Sequence, residues 1–464
     1  MGLSARELAA ATGGAVVAGD PDARCSSYAI DSRVLTPGAC FVALVAARDG
    51  HDFVADAFSR GAAIALVGRD LPSVTLRAGQ AVVRVADPLR ALQDLAGAAR
   101  ASLRGGPVVG ITGSVGKTGT KDLTAAALAP RFAVHASPGS FNNEAGLPLT
   151  LLHAPDGTEA VVLEMGARFP GNIAELCVIA RPTVGVITRI GLAHAGLMGG
   201  IEGVARTKGE LLEALDAEGL AVLDADDPAT PGLVARTSAR VVTVSGRLGG
   251  GDVVAHAIEL DDELRPTFLL ETPWGAGSVR LAVRGAHQVT NAALAAAVGL
   301  AHGVPFADVA ASLATVEPAP WRMEVSRAPS GALVIDDSYN ANPSSTAAAV
   351  GALAHVATAG RRIAVLGAML ELGEHSAEEH AAIGGLVAER GVDVLVAVGP
   401  ETAPTAAAAR DGGVEVYEVG DAAAAVAFVA PLVHDRDVVL VKGSRAVGLD
   451  AVARALTGAG EVVA

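Results

Sequence analysis

From residue 108 the chain alternates short β-branched apolar runs with Ala- and Leu-rich stretches of helical period. The runs PVVGIT (107–112), EAVVLEMG (159–166), TVGVITRI (183–190) and LAVLDADD (220–227) are apolar on consecutive positions, so each predicts a strand buried on both faces. Between them, segments such as 203–215 place apolar residues at helical spacing, which predicts a mostly parallel sheet covered by helices on both sides. The same alternation returns in RRIAVLGA (361–368), VDVLVAVG (392–399) and DVVLVKG (437–443). Two breaks interrupt the pattern, Gly-Gly-Pro at 105–107 and EPAPW at 317–321. They divide the chain into residues 1–104, a smaller N-terminal α/β domain; 105–318, a central parallel-sheet domain; and 319–464, a further α/β sandwich. No fixed-period repeat or low-complexity tail is present, since the Ala runs fall inside helical patterns.

Composition narrows the function. Apolar residues are 51% and charged residues 18% of 464, enough for packed cores and too little charge for a disordered chain. The net charge of -15 repels nucleic-acid backbones and anionic lipid, and no basic patch offsets it. Apolar stretches end well before the ~18 residues of a membrane span, and the first residues lack a secretory leader, so a cytoplasmic protein is expected. Cys25, Cys40 and Cys177 are scattered, form no CxxC pair and fit a reducing compartment. The cations are lopsided: 31 Arg against four Lys, at positions 117, 121, 208 and 442. Where Arg serves as the general surface cation, a retained Lys marks a place for a compact amine whose pKa can shift.

GITGSVGKTGTK (110–121) follows a predicted strand and opens a predicted helix. The general phosphate-loop spelling needs glycine at position 111, where this chain has Ile111, yet the physics of the loop is intact. Gly113, Ser114, Val115, Gly116 and Gly119 supply a flexible turn and backbone N–H groups at a helix N-terminus; Lys117 can neutralise phosphate charge, and Thr118 can ligate Mg²⁺.

This spelling resembles the phosphate loop of the Mur ligases and folylpolyglutamate synthetases. The resemblance continues in order through FNNEAGLPLTLL (141–152), LEMGAR (163–168), ITRIGLAHAG (187–196), TKGELLEAL (207–215), GAHQVTNAALAA (285–296), WRMEV (321–325), DDSYNANPSS (336–345), VLGAMLELGEHS (365–376) and LVKGSRAVGLD (440–450). DDSYNANP and MLELGE look like the branch of the family that adds D-alanyl-D-alanine, as does DSRVLTPGACFVAL (31–44), a segment shared with the adjacent branch that adds the third amino acid.

The resemblance implies three α/β domains: a smaller N-terminal one for UDP, a central P-loop-ATPase-like one for ATP, and a C-terminal Rossmann-like one that closes over both. It implies an ATP-dependent amide ligase acting through an acyl phosphate on a UDP-N-acetylmuramoyl-tripeptide-like acid and a D-alanyl-D-alanine-like amine, in peptidoglycan synthesis and hence cell-wall biogenesis, shape and division, as a monomer. Lys117, Lys208, His194 and Arg322 would be catalytic. Thr118, Glu164, His194 and Lys208 would hold two Mg²⁺ ions, with Lys208 carbamylated. Asn291 would recognise adenine, Asp336 the ribose and Arg322 the γ-phosphate. Ser32, Arg33, Asp49 and His51 would bind the UDP-bearing substrate, Asn142 and Asn143 would also contact substrate, and Tyr339, Asn340 and Asn342 would meet the dipeptide.

The chain departs from the family's usual pattern at Ala46, Arg189, Gln288 and Ala368. None of the four is a phosphate or metal ligand. Two alternatives stand beside the main reading: a Mur-like ligase that joins a different acid and amine, and a nucleotide-binding scaffold that makes no bond.

Overall fold

The computed structural model describes residues 2–71, 74–103, 105–192 and 195–458. Three sheets follow one another along the chain. In the first, strands Ser27–Ala29, Ala39–Val42, Ile64–Val67 and Ala81–Arg84 run parallel, and Ala15–Gly19 closes one edge antiparallel to Ala81–Arg84. Helix Ala5–Thr12 begins on a reciprocal Ser4–Glu7 capping box and stops at Gly13, whose φ of 64° favours glycine.

The second sheet has nine strands. Val134–Ala136, Ala160–Glu164, Val108–Thr112, Val184–Ile187, Leu220–Asp224, Arg240–Ser245 and Val253–Leu260 lie side by side and parallel, matching every strand the apolar runs predicted. Two antiparallel strands, Pro266–Thr272 and Gly275–Arg280, extend it. No long apolar run predicts them, because polar residues such as Thr267, Glu271, Ser278 and Arg280 interrupt the apolar positions. The C-terminal ends of four parallel strands, at Thr112, Glu164, Ile187 and Asp224, lie along one edge. Strand order reverses there around Val108–Thr112, which opens the crevice where such sheets hold ligands. One expectation is corrected: the apolar run 183–190 is a strand only as far as Ile187. The strand ends at Ile187, where the Thr188 hydroxyl turns back onto the backbone carbonyls of Thr112 and Val115, and His194 itself lies outside the described residues.

The third sheet orders Glu324–Arg327, Leu333–Asp336, Val438–Lys442, Arg362–Gly367, Val394–Val398 and Glu415–Val419; only the first pairing is antiparallel. Cores are continuous across the sheets' borders. Helix Pro88–Ser102 packs on helices Gly146–Leu152 and Asn172–Ala180, tied by Arg100 donating to the carbonyls of Ala180 (2.7 Å) and Arg181 (3.0 Å). At the other border Leu264, 1% exposed at the turn before Pro266–Thr272, enters the apolar core of the third sheet. No helix of the described residues is long and apolar enough to cross a membrane, and all three cysteines are buried and free.

Candidate functional site

Between the second and third sheets lies a cavity of about 1240 Å³, reached by the phosphate loop, by strand ends of the central sheet, and by residues 317–323 and 337–348. The loop runs from strand Val108–Thr112 into helix Lys117–Leu128. Gly113 has φ 148°, and a Cβ there would overlap Thr188 Oγ1; Gly116 has φ 84° and faces Asn291. Both positions therefore need glycine. Ser114 N–H donates to Arg189 O (2.7 Å), and its hydroxyl exchanges bonds with Gly191, so the loop is fixed from below. Lys117 folds back to donate to Gly113 O at 2.8 Å, and burial lowers its pKa.

At the loop's far side Thr118 Oγ1 donates to Glu164 Oε2 (2.7 Å), Asn142 Nδ2 donates to Glu164 Oε1 (2.7 Å), and Arg322 Nη2 reaches Thr118 Oγ1 at 3.1 Å. Glu164 is 1% exposed. The described residues contain no group of three or more His, Cys, Asp or Glu able to hold a metal ion. A buried carboxylate beside a threonine hydroxyl nevertheless suits Mg²⁺, which keeps several waters and takes phosphate oxygens rather than an all-protein cage.

Helix Gly200–Glu213 places Lys208 against the same cavity, 2% exposed. Burial, reinforced by Lys117 and opposed by Glu210 and Glu164, pulls its pKa down to about 7. Glu210, its neighbour on the helix, turns away to accept from Gly171 N–H (2.8 Å) and Ala174 N–H (3.0 Å) at the start of helix Asn172–Ala180. The other two lysines are interior as well. Lys121 is held by Asp122 (2.9 Å) and donates to Ser137 O and Gly139 O; Lys442 pairs with Asp337 (2.5 Å) and donates to Asn340 O (2.9 Å). All four lysines thus line or brace this one site.

Asn291, on helix Gln288–Ala301, donates to Gln288 Oε1 at 2.8 Å, and both face the cavity. Arg189 faces it too, 3.7 Å from Asp224, whose pKa burial raises to about 6. Of the acidic pair at 336–337, Asp337 lines the cavity; Asp336 is 8% exposed, engaged by the N–H and hydroxyl of Ser338, and burial raises its pKa to about 6. Asn340 accepts from Ala341 N–H, and Asn342 caps helix Pro343–His355 by accepting from Ser345 N–H; both also face the cavity. Asn143 is a turn residue that accepts from Gly146 N–H at 2.8 Å.

Ser32, Arg33, Asp49 and His51 are not among the cavity's lining residues. In the N-terminal domain Ser32 donates to Asp56 (2.7 Å) and Arg33 pairs with Asp31 (2.6 Å). His51 bridges Asp49 (2.5 Å) to Gly68 N–H (2.8 Å), and the bonds from His51, backbone first, hold the Asp49 carboxyl down to about 2. Sequence reasoning missed Ser140, Asp337 and the bracing roles of Lys121 and Lys442. The scarcity of lysine was the signal for the last two.

The family model of the Mur ligase middle domain matches residues 111–299, and that of the Mur ligase glutamate ligase domain matches residues 321–445. The chain is 42% identical to the UDP-N-acetylmuramoyl-tripeptide--D-alanyl-D-alanine ligase of Mycobacterium tuberculosis (strain ATCC 25618 / H37Rv), covering 98% of this chain and 97% of that one. It resembles the crystal structure of MurF from Acinetobacter baumannii with TM-score 0.86 and 32% identity over 99% of both chains. It also resembles MurF ligase from Thermotoga maritima in complex with ADP, with TM-score 0.77 and 31% identity over 93% of this chain and 97% of that one.

Proposed function

The chain belongs to the Mur ligase family, and from that premise we propose that it joins D-alanyl-D-alanine to UDP-N-acetylmuramoyl-tripeptide at the expense of ATP, in the cytoplasm, as a step of peptidoglycan precursor synthesis. The observation that carries this reading is one cavity bounded by the phosphate loop, the Thr118–Glu164 pair, Lys208 and the 337–342 loop, in a chain matched end to end by ligases of that name. The full-length match disfavours a ligase of other substrates and a scaffold without activity.

A carboxylate does not condense with an amine in water because its oxygen leaves poorly. An oxygen of the tripeptide carboxylate attacks the γ-phosphorus and ADP departs; the amine then attacks the acyl carbon, loses a proton, and phosphate leaves. Lys117, Arg322 and the loop N–H groups hold the triphosphate against its repulsion from the carboxylate. Thr118 and Glu164, with His194 as the family resemblance implies, would hold Mg²⁺, which would screen the phosphate charge when bound. Lys208 adds CO₂ as its neutral amine, releasing a proton and becoming an anionic carbamate suited to a second Mg²⁺; its burial, its lowered pKa and its position beside Lys117 support that role. Asn291 meets adenine, and Asp336, or Asp337 beside it, meets the ribose. Asn340 and Asn342 face the dipeptide, Asn142 and Asn143 also contact substrate, and Ser32, Arg33, Asp49 and His51 hold the UDP moiety.

The test is the mass of the product formed from UDP-N-acetylmuramoyl-tripeptide, D-alanyl-D-alanine, ATP and Mg²⁺. The pentapeptide mass, with one phosphate released per bond, is expected. Phosphate release without that product, or no turnover with this pair, overturns the reading.

A further inference from the structure

Tyr339 sits where the amine is expected, yet both ends of its side chain are engaged within the protein. Its hydroxyl donates to Ser140 Oγ at 2.8 Å. Its ring lies under the Arg322 guanidinium, with Cζ 4.0 Å from the ring centroid. The segments that carry the two residues are joined as well: Tyr339 N–H donates to the backbone carbonyl of Trp321 (3.2 Å), and Met323 N–H donates to the Asp337 carboxylate at Oδ1 (3.2 Å).

Both contacts lead back to one helix. Arg322 extends over the ring to Thr118 Oγ1. Ser140 follows residues 137–139, whose carbonyls at Ser137 and Gly139 are held by Lys121 Nζ. Thr118 and Lys121 are three residues apart on helix Lys117–Leu128, so they share a face. The contacts form a closed ring: helix, Ser140, Tyr339, Arg322, helix.

Arg322 itself sits in a costly stretch of backbone. Trp321 and Met323 flank it at φ 59° and 52°, a region bulky L-residues rarely adopt, and both are buried. Such a backbone fixes where the Arg322 side chain starts, but a long side chain keeps several free torsions. A flat aromatic face removes most of that freedom, because a guanidinium stacks on it and is attracted to its π-electrons.

We infer that Tyr339 is a positioning residue for phosphoryl transfer: its ring aims Arg322 at the phosphate site, and its hydroxyl ties that alignment to Ser140 of the central domain. Arg322 is thereby presented only when the C-terminal domain rests on the phosphate-loop helix. The inference rests on the reading of Arg322 as a phosphate-facing cation.

The test uses the full-length protein with turnover measured against ATP and D-alanyl-D-alanine separately. Tyr339→Leu is expected to lower kcat about tenfold or more, the loss of a desolvated cation–π contact expressed in rate, with KM for the dipeptide changed less than about twofold. Tyr339→Phe, which keeps the ring, should restore kcat to within about threefold. On an Arg322→Ala background Tyr339→Leu should cost nothing further, since it acts through the missing guanidinium. A raised KM for the dipeptide with kcat intact makes Tyr339 an amine contact and overturns the inference. Additive losses in the double variant, or a leucine variant that fails to fold, overturn it as well. If Arg322→Ala alone leaves kcat unchanged, the phosphate-facing reading of Arg322 falls, and this inference with it; if Arg322→Ala is impaired and Tyr339→Leu is not, only this inference falls.

Discussion

Thr118 donates its hydroxyl proton to Glu164 across 2.7 Å, joining the first turn of the phosphate-loop helix to the end of the neighbouring strand. The same oxygen lies 3.1 Å from an Arg322 nitrogen, so one hydroxyl ties together the loop, a buried carboxylate and the C-terminal domain.

Thr118→Val keeps the shape and removes the hydroxyl. Turnover is expected to fall at least about a hundredfold, because the proposed metal-ligand oxygen and the orientation of Glu164 go together. Titrating Mn²⁺ as a spin probe in the presence of ADP should show weaker metal binding; unchanged metal affinity would remove Thr118 from the metal site.

Lys117→Ala should abolish ligation and leave the melting temperature within about 2 °C, since among the described residues its amine bonds only to Gly113 O, at 2.8 Å. Thermal unfolding and product formation, measured on the same preparation, check both halves. A variant that turns over normally would displace the phosphate site from this loop.

Gly113→Ala places a Cβ on Thr188 Oγ1 at a backbone angle of φ 148°. Thr188 anchors Val115 at 2.5 Å, so the loop must shift rather than the side chain alone. Affinity for a non-hydrolysable ATP analogue, read by calorimetry, should drop about tenfold or more.

Lys208 sets a pH dependence. CO₂ adds only to the neutral amine, and with its pKa lowered to about 7 the neutral form grows as pH rises through that value. Carbamate seen by ¹³C NMR with labelled bicarbonate should therefore disappear, and activity fall, on going from pH 8 to pH 6. In CO₂-depleted buffer the unfolded chain holds this proton up to the ordinary lysine range while the folded chain releases it near 7. Stability contributed at this site rises with pH between those two values, and the full cost of burying the amine is felt below about 7. Lys208→Met should accordingly melt higher than the parent at pH 6 while making no product. Lys208→Arg should lose most activity, and Lys208→Ala should regain some with acetate. Full activity in the Arg variant would refute the carbamate role.

Much of the protein was written in local pattern. Apolar runs on consecutive positions dictated the buried parallel strands at 108–112, 160–164, 184–187 and 220–224, because only a strand covered on both faces can bury every residue. The glycines and Lys117 announced a phosphate loop, since their chemistry acts within a few residues. The scarcity of lysine announced positions where an amine is needed. Other features required the chain to come together. The ring of Thr118, Arg322, Tyr339 and Ser140 joins residues about two hundred positions apart in sequence. The end of the strand at Ile187 was decided by a threonine hydroxyl capturing carbonyls of the phosphate loop, a competition invisible in apolar periodicity. The shift of the Lys208 pKa depends on what surrounds the amine, and sequence gives only its place on a helix face. Hydrophobic period is a property of neighbours along the chain; charge, desolvation and hydrogen bonding at a site are properties of neighbours in space, and only the packed domains supply those.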